Sequence, residues 1–120
     1  MKNVLLVVAV VAIVLLPWRT SMGGAVVHAA GGDSRKGKAV YEKSCVLCHG
    51  PQGRGDGPVG KTTNPPAADF ASAASKKKTD AELLATIETG RPPTAMTGWK
   101  GQLSDAEIQD VLAYVKSLRQ

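Results

Sequence analysis

Five consecutive residues, Cys45-Val46-Leu47-Cys48-His49, constrain this chain more than any other feature of it. They spell C-x-x-C-H, the attachment signature of a c-type haem. The spacing has a chemical reason. Two thiols three residues apart on one helical turn can each add to a vinyl group of the same porphyrin, and the next residue then swings its imidazole beneath the iron. Other uses of two cysteines fit less well. A thioredoxin-like redox pair wants a neighbouring βαβ pattern, and no strand-like run occurs after the first thirty residues. A structural zinc site wants four Cys or His ligands; with His28 in the leader, only Cys45, Cys48 and His49 remain. A disulfide between Cys45 and Cys48 would close a very small loop and constrain little.

The same inventory reaches the far side of the iron. Beyond the leader His49 is the single histidine and Met96 the single methionine. Met96 sits in Arg91-Pro92-Pro93-Thr94-Ala95-Met96-Thr97-Gly98-Trp99, a loop bounded by Pro and Gly. Methionine often fills gaps in cores, but a loop presents it poorly for that use, so a thioether ligand is expected. Open or water-bound iron and a lysine ligand are the alternatives.

Lys2 precedes an uninterrupted apolar run from Val4 to Leu16, followed by Pro17 and by small residues around Ala25, Ala29 and Ala30. This is the order of a secretory signal. At ~1.5 Å per residue the run covers about 20 Å, short of a bilayer core of ~30 Å. Retention as an N-terminal anchor through residues 4–18 would need tilt or thinning. The expected organisation is a signal peptide over 1–29, or that anchor, followed by one domain over 30–120. Export exposes the cysteines to an oxidising compartment that normally favours disulfides, which sharpens the question of what they do instead.

Composition now has a meaning. Hydrophobic residues make up 43% of the 120 positions, yet 20 of the 52 lie in the first 29. The other 91 positions hold 32, with one Phe, 11 Gly and 6 Pro. That is lean for a globular domain, and something other than side chains is needed to complete its core. The net charge of +5 includes Lys2 and Arg19 of the leader. The remaining balance, with no Arg-rich stripe among aromatics, does not argue for nucleic acid, and no nucleic-acid partner is expected.

Three helices are expected. The first runs from about Asp33 to Cys48, with Asp33 or Ser34 as cap, and carries Gly37, Tyr41 and the haem motif. Gly37 costs a helix roughly 1 kcal/mol relative to Ala, which suggests a packing purpose, with Tyr114 as partner. The second spans about Thr79 to Thr89, opened by a Thr79/Glu82 capping box and stopped by Gly90. The third begins at the Ser104/Glu107 capping box and sets Ile108, Val111, Leu112, Val115 and Leu118 on one face. Residues 50–66, with five Gly and four Pro, read as turns and extended chain. Pro58, with Pro51 as rival, is expected to offer the carbonyl that fixes the His49 imidazole. Lys76-Lys77-Lys78 reads as a solvated linker or a patch that steers an acidic partner.

Together the attachment motif, the Gly37/Tyr41 helix, the Pro58 and Met96 loops and Leu112-Ala113-Tyr114-Val115-Lys116-Ser117-Leu118 resemble a small bacterial class I monohaem cytochrome c over about Ser34 to Leu118. The resemblance implies an all-α cytochrome c fold, three main helices packed around one covalently bound haem with long Gly/Pro-rich loops. It implies thioether bonds to Cys45 and Cys48, His49 and Met96 as axial ligands, helices crossing at Gly37, Tyr41 and Tyr114, and Trp99 near the haem or a propionate. The expected role is a monomeric periplasmic one-electron carrier, not an enzyme, docking transiently with a redox donor and acceptor of the respiratory chain. It would touch a membrane only if the leader is retained. A haem subunit of a larger oxidoreductase, or a gas- or peroxide-binding haem protein with a labile Met ligand, are the other readings. The Ala- and Lys-rich stretch from Thr62 to Lys78 departs from the pattern.

Overall fold

A computed structural model describes residues 31–120, so the leader or anchor expected over 1–29 lies outside the described residues. Five helices follow in order: α1 (Ser34–Ser44), α2 (Val46–His49), α3 (Ala73–Lys76), α4 (Asp80–Thr89) and α5 (Asp105–Ser117). Among the described residues the only β features are two isolated bridges, and the all-α class is as expected.

The helix ends obey local chemistry. Asp33 caps α1, its carboxylate accepting from the Arg35 N–H at 2.8 Å. Thr79 and Ser104 each form the expected capping box, their hydroxyls accepting from the N–H groups of Glu82 and Glu107 while those carboxylates accept in return. The first helix departs from the continuous one expected between Asp33 and Cys48. It breaks at Cys45, where φ moves to −121°, and the N–H groups of Cys48 and His49 both turn to the Cys45 carbonyl. A separate turn, α2, carries the haem motif.

α1 and α5 cross where Gly37 removes a side chain. A Cβ there would overlap the Asp110 carbonyl and lie 3.0 Å from the Tyr114 Cβ. One turn on, the Tyr41 and Tyr114 rings meet edge to face with centroids 5.2 Å apart. Asp110 accepts the Asp33 N–H at 2.6 Å and ties the start of α1 to the middle of α5. Tyr41 is almost fully buried and donates its hydroxyl to the Gly50 carbonyl at 2.6 Å, so its polar end is satisfied inside the core.

Eight buried apolar residues form the core: Tyr41, Phe70, Leu83, Ile87, Ile108, Val111, Leu112 and Val115. All but Phe70 come from α1, α4 and α5, the three main helices. This is a small core for ninety residues, in keeping with the deficit in composition.

Candidate haem site

The long Gly/Pro-rich segment folds back over α2. Gly57 N–H donates to the Cys48 carbonyl and Val59 N–H to that of Leu47, both at 3.1 Å. Ala67 N–H then reaches the Gly60 carbonyl and Phe70 N–H the Gly53 carbonyl at 2.7 Å. This return path lays residues 67–70 beside the motif.

The consequence falls on His49. Its Nδ1 lies 3.2 Å from the carbonyl oxygen of Ala68, which corrects the expectation that Pro58 or Pro51 would supply that group. Residues 57–59 are engaged with the backbone of Leu47 and Cys48, leaving Ala68 to face the ring. A carbonyl only accepts, so Nδ1 carries the hydrogen and Nε2 keeps its lone pair. Burial lowers the imidazole's pKa, with the Ala68 hydrogen bond working weakly in the other direction. The ring of Phe70 stacks on that of His49 with centroids 4.6 Å apart.

Met96 arrives from the other side of the sequence. Gly90 ends α4 with φ +73°, and a Cβ there would come within 2.5 Å of the Met96 carbonyl, so a glycine is needed for the loop to close on itself. Arg91 N–H donates to the Met96 carbonyl at 3.0 Å, and Trp99 and Lys100 N–H groups return to the Ile87 and Glu88 carbonyls. The loop is thereby pinned to the end of α4.

Both segments open onto one cavity of about 390 Å³, whose walls include Cys45, Cys48, His49, Met96, Trp99 and Phe70. That lies within the range of about 300–1,000 Å³ typical of cofactor sites. The structure thus brings all four expected site residues together.

The residues fit a covalent haem on their own chemistry. Cys45 and Cys48 are both free of disulfide. Burial, with a smaller contribution from Cys48, pushes the Cys45 thiol up to about 11, so it is neutral at ordinary pH and suits an apolar wall. A neutral imidazole with Nε2 unprotonated is the form that binds a metal. No group of three or more His, Cys, Asp or Glu side chains suited to a metal ion occurs among the described residues.

Sequence reasoning missed Ala68 and Phe70. Phe70 did carry a signal, as the only Phe in the chain, placed after the Pro65-Pro66 turn. Ala68 carried none, because a backbone carbonyl has no side-chain signature.

A helical fold of this kind, with C-x-x-C-H set at an apolar cavity, defines a c-type cytochrome domain carrying covalently bound haem c and its iron. Residues 32–115 match the family described as cytochrome c oxidase, cbb3-type, subunit III, and the chain belongs to that family. It is 33% identical over 88 residues to the cbb3-type cytochrome c oxidase subunit CcoP of Azospirillum brasilense, covering 71% of this chain and 28% of that protein. It is 34% identical over 83 residues to cytochrome c6 of Synechocystis sp., covering 69% of this chain and 63% of that one. The chain thus spans little more than a quarter of CcoP and under two thirds of cytochrome c6.

Among solved structures, it is similar to a chain of the Kuenenia stuttgartiensis reducing HAO-like protein complex, with TM-score 0.62 and 28% identity, covering 72% of this chain and 42% of that one. Cytochrome c6 of the diatom Phaeodactylum tricornutum shares the fold, with TM-score 0.53 and 24% identity, covering 73% of this chain and 95% of that one.

Proposed function

We propose that this chain is an exported one-electron carrier in which Cys45 and Cys48 hold the haem through thioethers and His49 Nε2 and the Met96 sulfur bind its iron. The observation that carries this reading is the convergence of these four residues, from segments 47 positions apart, on one apolar cavity. The bound group supplies a single-electron couple between ferric and ferrous iron, whose potential Met/His ligation raises. His49 and Met96 would both hold the iron, leaving no position for a substrate, so the bound group would change charge without a change of ligands. Ala68 and Phe70 hold the His49 ring in one plane and one tautomer, which keeps reorganisation small. The apolar walls exclude water and disfavour the extra ferric charge.

The apolar run from Val4 to Leu16 supports export to the periplasm, with residues 1–29 as a signal peptide and 30–120 as the functional domain. No helix among the described residues is long and apolar enough to cross a membrane. Partners would be a redox donor and acceptor, met transiently by a monomer. A second reading, a haem subunit within a larger oxidoreductase, is favoured by the family match and by the likeness to CcoP. Purification as a free monomer separates the carrier from the subunit.

The test of the site is the absorption spectrum of oxidised and reduced protein. Wild type should show the weak far-red ferric band produced by a methionine thioether on low-spin haem iron, and Met96→Ala should lose it. Persistence of the band in that variant overturns the ligand assignment.

A further inference from the structure

The run Lys76-Lys77-Lys78 does not act as one unit in the fold. Lys76 ends α3 and Lys77 caps it, and both are exposed. Lys78 is half-buried and lines the cavity that holds Cys45, Cys48 and His49. Its backbone is held on both sides. Its N–H donates to the Ser75 carbonyl at 3.0 Å, and its carbonyl accepts from the Arg119 guanidinium at 2.9 Å. Arg119 also donates to the Ser75 carbonyl, so the end of the chain clamps Lys78 at the cavity wall.

Arg91, just beyond the other end of α4, is the second cation of the lining. Neither Lys78 nor Arg91 forms an ion pair among the described residues. The acid of the lining, Asp69, is turned to other partners: it accepts from the Ala71 N–H at 2.8 Å and lies 3.7 Å from Arg54. An apolar cavity with two unpaired cations in its lining and its own carboxylate engaged elsewhere suits a ligand with an apolar body and two carboxylates. Haem has that form, with its two propionates on the edge away from the vinyl groups that react with thiols.

We infer that Lys78 and Arg91 pair with the haem propionates, so that the lysine run splits into one cofactor-binding residue and two solvent-facing ones. The inference rests on haem occupying this cavity, and its test is made on protein already shown by its spectrum to hold covalent haem, so its failure leaves that reading standing. A carboxylate in an apolar site is costly unless paired, and a cation near the ring disfavours the ferric charge. Losing both cations therefore changes the propionates' surroundings and favours ferric iron.

The experiment compares holoprotein carrying Lys78→Gln with Arg91→Gln against holoprotein carrying Lys76→Gln with Lys77→Gln, an equal change of charge close by. Resonance Raman bands from propionate bending should move in the first and stay in the second. The midpoint potential at neutral pH should fall more in the first than in the second. Unmoved propionate bands in the Lys78/Arg91 variant, or equal changes in both variants, would overturn the inference. Each single variant then reports the share of its own residue.

Discussion

The ring of Phe70 lies against the imidazole of His49 with an interplanar angle of 24°, while the carbonyl two residues before Phe70 faces the imidazole Nδ1. One short segment therefore sets both the plane and the tautomer of this histidine. Phe70 also meets Tyr41 edge-on at 6.5 Å, so the same ring joins the site to the α1/α5 core.

Phe70→Ala should cost about 3–5 kcal/mol, the usual range for deleting a buried phenylalanine side chain. Chemical denaturation of the holoprotein measures it. The loss should be accompanied by a broader low-spin signal in electron paramagnetic resonance, because the imidazole is no longer held in one plane. A variant as stable as wild type with an unchanged signal would show that the stacking carries no weight.

Gly37→Ala tests the helix crossing. Alanine favours a helix by about 1 kcal/mol over glycine, but the added Cβ overlaps the backbone carbonyl of Asp110, which cannot rotate aside as a flexible side chain could. Overpacking of this kind costs about 1–3 kcal/mol, and the variant should be less stable in urea. Lys36→Ala, on an exposed position of the same helix, should change stability by less than about 0.5 kcal/mol. Stabilisation by Gly37→Ala would contradict the close crossing.

The capping boxes set an acid limit. Backbone N–H bonds from Thr79 and Ser104, followed by their hydroxyl bonds, hold the Glu82 and Glu107 carboxyls below their ordinary value of 4.5. A pKa lowered by folding stabilises the folded state fully above the unfolded value, and that stabilisation is lost as pH falls through the lowered one. The melting temperature of the holoprotein should therefore drop below about pH 4.5. In Glu82→Gln/Glu107→Gln the baseline should be lower at neutral pH and the acid slope shallower. Parallel curves for variant and wild type would remove the carboxylates from the account.

Removing the haem should unfold the domain. Eight buried apolar residues around an open cavity are little to set against the conformational entropy of about ninety residues. Cys45→Ser/Cys48→Ser protein, made without covalent haem, should show little helix by far-UV circular dichroism and no cooperative melt. A sharp thermal transition in that protein would mean that side chains alone complete the core.

Much of this was legible in local sequence. Cys45, Cys48 and His49 stand together because thioether attachment and imidazole placement need neighbours on one turn. Thr79/Glu82 and Ser104/Glu107 announced their helices because a capping box closes within four residues. Gly37 and Tyr114 could be matched across the chain because a glycine inside a helix calls for a close neighbour. Other features could not be read. The helix breaks at Cys45 although nothing in its composition marks a stop, and α3 forms within the Ala- and Lys-rich stretch that departed from the family pattern. Pro58 was the wrong carbonyl, since its segment pairs with the back of the motif. Lys78 looks identical in sequence to Lys76 and Lys77, and only the Arg119 clamp sets it apart.

The sequence by itself determined the cofactor class, the order of the main helices and the shortage of apolar material that a porphyrin relieves, because each follows from residue type and short-range spacing. The tertiary structure alone decided which carbonyl meets His49, which ring stacks on it and which lysine lines the cavity. Those choices depend on the path of loops whose ends lie far apart in the chain, and a path is set by the sum of many weak backbone bonds and close approaches that no single residue displays.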